Sequence, residues 1–486
     1  MCGPREHSQP ITFFPFLCLA CSLLCGIANA APSITLSKHS GPPTSGILVS
    51  GRGFEPNVGV DISFDTKDEA LVVTDGKGEF DNAKAYAPRS ARPGEHWVTA
   101  LERNNDECAQ RQFLVQTDWP MFGFDDHHSG MNPYENTLGS KNVGNLAVRW
   151  ATSIGGGGPP PVIYKGLAYS VGNGNSYQGD GALYAVNAAT GVPLWTYSVG
   201  VQLSSSPAVV GGTVYFASND GYQSYVYVLN ATTGALNWKY GFYGGSSSPV
   251  VVDGSVYVGS EDDSVYSLDA RKGTLNWKFK TDYIVESSPA VANGVVYVGS
   301  WDTNLYALEA KTGALLWKYT TEGEINSSPA VAGGVVYFGA DYPDNSVYAL
   351  DAATGLLLWR YVTGASVDSS PSVADGVVYV GSNDSNFYAL NTSNGSLLWV
   401  RHYPPGYGVP GGPAAVANGV VYVSVITPDF LIWRLEALDA QTGTRLWNYS
   451  NGSTFSSTVV ANGLLYVNSP SEGNKGTLYA FGVGGK

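Results

Sequence analysis

The chain reads as an all-β protein, an eight-bladed β-propeller of four-stranded antiparallel blades preceded by a small β-sandwich. One observation is a phrase that recurs seven times between residues 183 and 447, most fully as LYALEAKTGALLW and VYALDAATGLLLW. In every copy an Asp, Asn or Glu stands four residues before a Gly, which stands four before a Trp, giving Trp195, Trp238, Trp277, Trp317, Trp359, Trp399 and Trp447. Trp150 ends a lone copy of the last part, NLAVRW, and successive Trp lie 39 to 48 residues apart. Periods of this length mark stacked supersecondary units. The other observation is a two-residue turn signal inside each period, such as Asn293-Gly294 or Asp375-Gly376.

The period beginning at Glu286 divides into ESSPAVANG, VVYVGS, WDTN, LYALEA, KTG and ALLWKY. Short runs of alternating β-formers between Gly-rich breakers read as strands. Asn-Gly, Asp-Gly or Gly-Gly suits a type I′ hairpin, whose two central residues need positive φ. Each period is therefore a four-stranded sheet, and radial repetition of such sheets makes a propeller. First strands begin near Pro161, Pro207, Pro249, Pro289, Pro329, Pro371, Pro413 and Thr458; the last copy ends after its third strand, TLYAFG. The strand around Trp150 supplies the missing fourth, which closes the ring and removes a free edge. The eight Trp at one repeat position serve packing between blades, and the Asp/Asn-x-x-Thr-Gly segments are turns held by local side-chain bonds and a positive-φ Gly.

This repeated phrase, over residues 117–486, resembles the pyrroloquinoline-quinone-like (PQQ-like) propeller repeat. The family holds quinoprotein alcohol dehydrogenases and also non-catalytic scaffolds such as the propeller of the outer-membrane assembly machinery, so the resemblance implies a fold and leaves function open.

Only 14% of residues are charged, with 60 Gly and 31 Tyr, a composition suited to a turn-rich extracellular β-protein. The net charge of −14 argues against nucleic acid or an anionic membrane as a partner. Residues 11–28 are uncharged and apolar, follow Arg5 and precede Ala28-Asn29-Ala30, so residues 1–30 read as a secretory signal peptide. Four of five Cys lie in that segment, leaving Cys108 and no intrachain disulfide in the mature chain.

Residues 31–115 depart from the repeat and offer six or seven short strands with Gly/Pro turns, a small sandwich. VSGRGFEPNVGVDISFD, TDGKGEF and PGEHWVTA within it resemble bacterial Ig-like domains of the IPT/TIG kind, a spacer or a partner-binding module. Residues 116–147 read as a linker or strap that caps the ring with Trp119 and Phe122 buried, leaving 148–486 for the propeller. Asp125, Asp126, His127 and His128 in the strap have metal-ligand chemistry, but neighbours along an extended chain point to opposite sides.

Candidate site residues follow from the repeat. The position just before each Ser-Ser-Pro-like step is expected at the channel mouth, which selects Gly158, Ser204, Ser246, Glu286, Asn326, Asp368, Pro410 and Phe455. Glu286, Asn326 and Asp368 form an arc of oxygen ligands of the kind calcium takes. The family resemblance implies a further possibility there: quinoprotein dehydrogenases place a Glu, an Asn and an Asp around calcium and PQQ, which would make Asp368 the catalytic base. The chain departs from that pattern. No Cys follows Cys108 to form the vicinal pair of the dehydrogenases, loops such as GSNDSN at 381–386 are short, and no H-D-x-W-D-Y-D or C-x-x-C-H phrase occurs. The first expectation is thus a secreted or periplasmic, non-catalytic scaffold without cofactor, its loop face offered to a protein or glycan partner. A PQQ- and calcium-dependent dehydrogenase is the second, and a carbohydrate-active propeller using Glu286 and Asp368 the third. Tyr177, Tyr222, Trp301, Tyr342 and Tyr407 are loop aromatics available to a partner.

Overall fold

The computed structural model describes residues 31–105, 107–172, 181–203, 205–218, 223–406, 412–426, 433–452, 455–469 and 476–484. The expected signal segment and the loop residues Tyr177, Ser204, Tyr222, Tyr407 and Pro410 lie outside them. The chain divides into two compact units, one drawn from residues up to 37, 48–85 and 98–111, the other from 38–47, 86–97 and 112–486.

The leading strands form two sheets. Ser33–Leu36, Gly46–Arg52 and Phe80–Tyr86 pair in one, and Ser40–Gly41, Cys108–Val115, Gly94–Glu102, Gly59–Phe64 and Lys67–Val73 in the other. Strict alternation of buried and open residues along Gly59–Phe64 buries Val60, Ile62 and Phe64. Eight strands form where six or seven are expected; the addition is Ser40–Gly41, too short to leave a periodic trace.

The rest is built from eight four-stranded antiparallel sheets among the described residues. Seven run in chain order. The eighth combines Val459–Ala461, Leu464–Ser469 and Thr477–Val483 with Leu146–Ser153, so the strand around Trp150 pairs with the last strand of the chain. The hairpin turns take the conformation their residues favour: Asn293 and Gly294 have φ of 50° and 76°. Lys165-Gly166 makes the same turn with φ of 48° and 75°, unflagged in the sequence because Lys seldom adopts positive φ.

The Asp-x-x-x-Gly-x-x-x-Trp frame is a junction between sheets. The Asp269 carboxylate accepts the Arg271 and Lys272 N–H groups at 3.0 and 2.7 Å, folding the turn that ends at Gly273. Gly273 has a φ of +70°, and a Cβ there would lie 2.6 Å from the ring of Trp238 in the preceding sheet. The same indole donates to Ala270 O at 3.2 Å, a carbonyl that also accepts from the Tyr215 hydroxyl. This pattern of indole on Gly, with Trp and Tyr sharing one carbonyl, recurs from Trp150 to Trp399. The closing junction differs. Trp447 donates to Leu146 O at 3.0 Å, in the incoming strand, and the Tyr422 hydroxyl is buried without a partner.

The Ser-Ser-Pro steps form a belt on the inner side. The first Ser bonds within its own sheet, as Ser287 Oγ accepts Gly299 N–H at 3.1 Å. The second Ser links sheets: Ser206, Ser248, Ser288 and Ser328 donate backbone N–H to the hydroxyls of Ser248, Ser288, Ser328 and Ser370.

The strap passes from sheet to sheet through successive turns. Trp119 exchanges two backbone bonds with Ile163, and the carbonyls of Pro120, Asp126, His127, Ser129 and Gly130 accept the N–H groups of Val209, Val291, Val331, Val373 and Val416. Asn132 Nδ2 reaches Val460 O at 2.8 Å, so seven of the eight first strands are tied to the strap. Trp119 is buried as expected, at 2% exposure. Phe122 is not; it is half-buried and faces a cavity, because the tight turn after it, with Gly123 at φ +65°, leaves its ring on the channel side.

The junction separates two costs that a glycine substitution carries. Gly355→Ala must accept φ +73° and a Cβ 2.7 Å from Trp317, whereas Gly294→Ala accepts φ +76° with no atom within 4 Å. Left-handed strain is about 1–2 kcal/mol in either case, and overpacking adds roughly 1–3 kcal/mol to the first alone. Urea unfolding should therefore show Gly355→Ala losing at least about 1 kcal/mol more than Gly294→Ala; equal losses would remove the steric part of the junction.

Candidate functional site

Above the strap the ring encloses a cavity of about 450 Å³. Phe122 forms its floor, and Ser246, Glu286, Asn326 and Asp368, four of the positions expected at the channel mouth, stand on its wall. They come together because each immediately precedes a Ser of the belt, which fixes its height and direction in the ring. Phe455 does not join them. It is 1% exposed and packs its ring on Tyr449 and Tyr479, because a large apolar side chain at this position gains more by entering the core of the last sheet. Gly158 is also absent from the wall.

A second ring of residues contributes, of which the sequence reading singled out Trp301, as a loop aromatic, and missed the other three. Glu261, Trp301, Asp341 and Asn383 each directly follow the Gly-Ser or Gly-Ala that ends a second strand. Two of them fasten mouth residues: Asn326 Nδ2 donates to Asp341 Oδ2 at 2.7 Å, and Asn383 Nδ2 to Asp368 Oδ2 at 2.7 Å. Farther out in the same loops, Asp302, Asp344 and Asp384 accept the hydroxyls of Tyr306, Tyr348 and Tyr388 at 2.7 Å, which anchors the loops to their sheets. Of the loop aromatics, Tyr342 is 78% exposed, whereas Trp301 is half-buried against Tyr283.

Acidic groups are concentrated here, and Glu286, Asp341 and Asp368 form no ion pair with a described residue. Burial raises the Asp341 carboxyl to about 8, helped by the hydrogen bond that the protonated group donates to Asp368, by the charge of Asp368 and by Glu324, and opposed by the Asn326 amide. Burial also raises Glu286, with the charges of Glu261 and Glu324 adding to it. Two buried acceptors, Asp341 Oδ1 and Asn326 Oδ1, have no hydrogen-bond donor.

These donors are of the oxygen type that calcium takes. Three acidic or imidazole ligand atoms lie within 4.8 Å of one another, among the described residues, only at Asp125, Asp126 and His127, which are not on the cavity wall. There the Asp125 carboxylate already accepts from the Ser129 N–H and hydroxyl, and Asp126 pairs with His127 at 2.9 Å, bonds that shape the strap turn. His128 turns away into the core; burial lowers it to about 4, and its Nδ1 lies 3.2 Å from Pro329 O. For the quinone, a planar polyanion, the wall provides no Lys or Arg and no ring other than Phe122 among the described residues. The lining does not fit that group.

The family model described as outer membrane protein assembly factor BamB matches residues 145–240, 179–283 and 280–481. The chain belongs to this PQQ-like repeat family. Among solved structures, a quinohemoprotein alcohol dehydrogenase from Pseudomonas putida HK5 is 16% identical, with a TM-score of 0.63 over 76% of this chain and 81% of that one. BamB from Moraxella catarrhalis is 18% identical, with a TM-score of 0.56 over 69% and 97% of the two chains. A europium-containing methanol dehydrogenase is 14% identical, with a TM-score of 0.62 over 75% and 98%. These likenesses establish the propeller-type fold. No curated protein matches the sequence. No helix among the described residues is long and apolar enough to cross a membrane.

The raised Asp341 carboxyl has a consequence for stability. Its proton is held more tightly in the folded chain than at the ordinary value of 3.8, so its contribution is fully present below pH about 4 and is lost as pH rises through about 8. Urea midpoints at pH 5, 7 and 9 should fall with pH in the parent protein, and Asp341→Asn should flatten that decline. An unchanged slope would show that the carboxyl is not perturbed.

Proposed function

We propose that the chain is a secreted or periplasmic, non-catalytic binding scaffold, an eight-bladed ring whose loop-face cup receives a protein or glycan partner. The Ig-like leading module spaces the ring from its surroundings or adds contacts of its own. The cup itself carries this reading: a roomy, floored cavity whose polar groups are arranged to hold and not to react. Among the described residues no His, Cys, Lys or Tyr lines it, and the hydroxyls of Ser248, Ser288, Ser328 and Ser370 accept the backbone N–H groups of the inter-sheet belt.

The dehydrogenase reading has one observation in its favour, the presence of Glu286, Asn326 and Asp368 on a single wall. It would use Asp368 as the base beside PQQ and calcium. The acidic lining opposes it, since no described lining residue neutralises the quinone's own carboxylates.

Both readings meet one experiment. A photoreactive side chain at Asn383, on the loop face, should trap a discrete partner in the cells that make the protein. The same group at Asp375, in the hairpin turn of the opposite face, should not. In parallel, the purified protein titrated with PQQ and calcium should neither bind the quinone nor oxidise primary alcohols. Quinone-dependent oxidation that disappears in Asp368→Asn would overturn the scaffold reading.

A further inference from the structure

Two buried acidic groups of the ring are paired with arginines, and those of the cup are not. Glu436, fully buried, is met by Arg401 at 2.9 Å, Arg445 at 3.2 Å and Arg434 at 3.8 Å. Asp344, also buried, is met by Arg360 at 2.9 Å. Glu286, Asp341 and Asp368 form no ion pair with any described residue. An uncompensated carboxylate in a partly desolvated site is costly. Glu436 and Asp344 receive their counter-charge from the chain itself; at the cup no described residue supplies one.

We propose that the cup is a receptor for a primary ammonium group carried on an aliphatic stem. The inference rests on reading the cup as a recognition site and adds the chemistry of what enters it. An ammonium group presents three donors and no acceptor. The wall presents the complement: the Glu286 and Asp368 carboxylates, and behind them Asp341, 8% exposed, whose Oδ1 lacks a donor, as does Asn326 Oδ1. Among the described residues no Lys or Arg lines the cup to repel a cation or to compete with it.

Size and floor select the body of the ligand. At about 450 Å³ the cavity is far larger than a bare ion, and Phe122 at its base offers an aromatic face to an alkyl stem or a second cationic centre. Such a group reaches the cup on a lysine side chain of a protein partner or on a free polyamine. Both present the same chemistry.

The test is calorimetric titration of the full mature protein with 1,6-diaminohexane, with 1,6-hexanediol as the uncharged control, and with a hexalysine peptide. The diamine should bind and the diol should not. Glu286→Gln and Asp368→Asn should each weaken the diamine at least ten-fold, whereas Glu309→Gln, in an exposed turn of the outer rim, should leave it unchanged. Parent-like circular dichroism and urea midpoints will show that the variants fold, and the double variant Glu286→Gln/Asp368→Asn should abolish binding. If hexalysine binds more tightly than the diamine, the ammonium comes from a partner's lysine; the reverse order assigns it to a free polyamine. Absence of diamine binding, equal binding of the diol, or insensitivity to the two wall substitutions would overturn the proposal. A loop-face photo-crosslink that persists without diamine binding would refute this inference alone, and loss of both would refute the scaffold reading as well.

Discussion

The contact on which the ring depends is a tryptophan laid on a glycine of the next sheet. The indole needs a neighbour without a side chain, and the tight turn that ends in that glycine needs positive φ, so one residue type meets both demands. The bond from the indole N–H to a carbonyl beside the turn then fixes the ring's orientation. A single such bond is worth about 1 kcal/mol net, but the junction is repeated around the ring, and each indole also buries apolar surface between sheets. Only the closing junction relies on a different partner, Leu146 O, and leaves the Tyr422 hydroxyl without an acceptor. Closure there is made by strand pairing between Thr477–Val483 and Leu146–Ser153.

With the outer half of each sheet fixed by tryptophan, the inner half is free to carry polar residues. The serine belt satisfies the backbone at the inner edge, and the residue before each belt serine is thereby turned to the channel. The strap, bonded to one first strand after another, gives the channel a floor. Glu286, Asn326 and Asp368 are adjacent for this reason, although 40 or more residues separate each from the next in sequence.

Much of this was legible in the sequence because a repeat states its rule several times. The Asp, Gly and Trp positions, the hairpin turns and the completion of the last sheet by the strand around Trp150 all follow from alignment of the copies. So did the three mouth residues, which occupy one repeat position. What escaped has physical causes. Asp341 and Asn383 lie in loops of unequal length, where the repeat no longer sets a register, though their place after Gly-Ala or Gly-Ser marks them in retrospect. Phe455 occupies a mouth position in the repeat but is drawn into the core by its apolar ring. Phe122 seemed bound for burial because it is aromatic; the turn at Gly123 sends it to the channel floor. The uncompensated state of the cup was invisible as well, since an acidic residue does not announce whether an arginine will fold beside it, as Arg360 does beside Asp344.

The central claim is that the cup holds its carboxyl groups in readiness for an external cation. The most direct measurement is a pH titration of the side-chain carboxyl carbons of Glu286, Asp341 and Asp368 by NMR, with and without 1,6-diaminohexane. The account expects Asp341 to titrate near 8 in the free protein and to fall by a unit or more, about 1.4 kcal/mol, when the diamine is bound. Titration of Asp341 in the ordinary carboxylate range, or a raised value unmoved by saturating diamine, would contradict it.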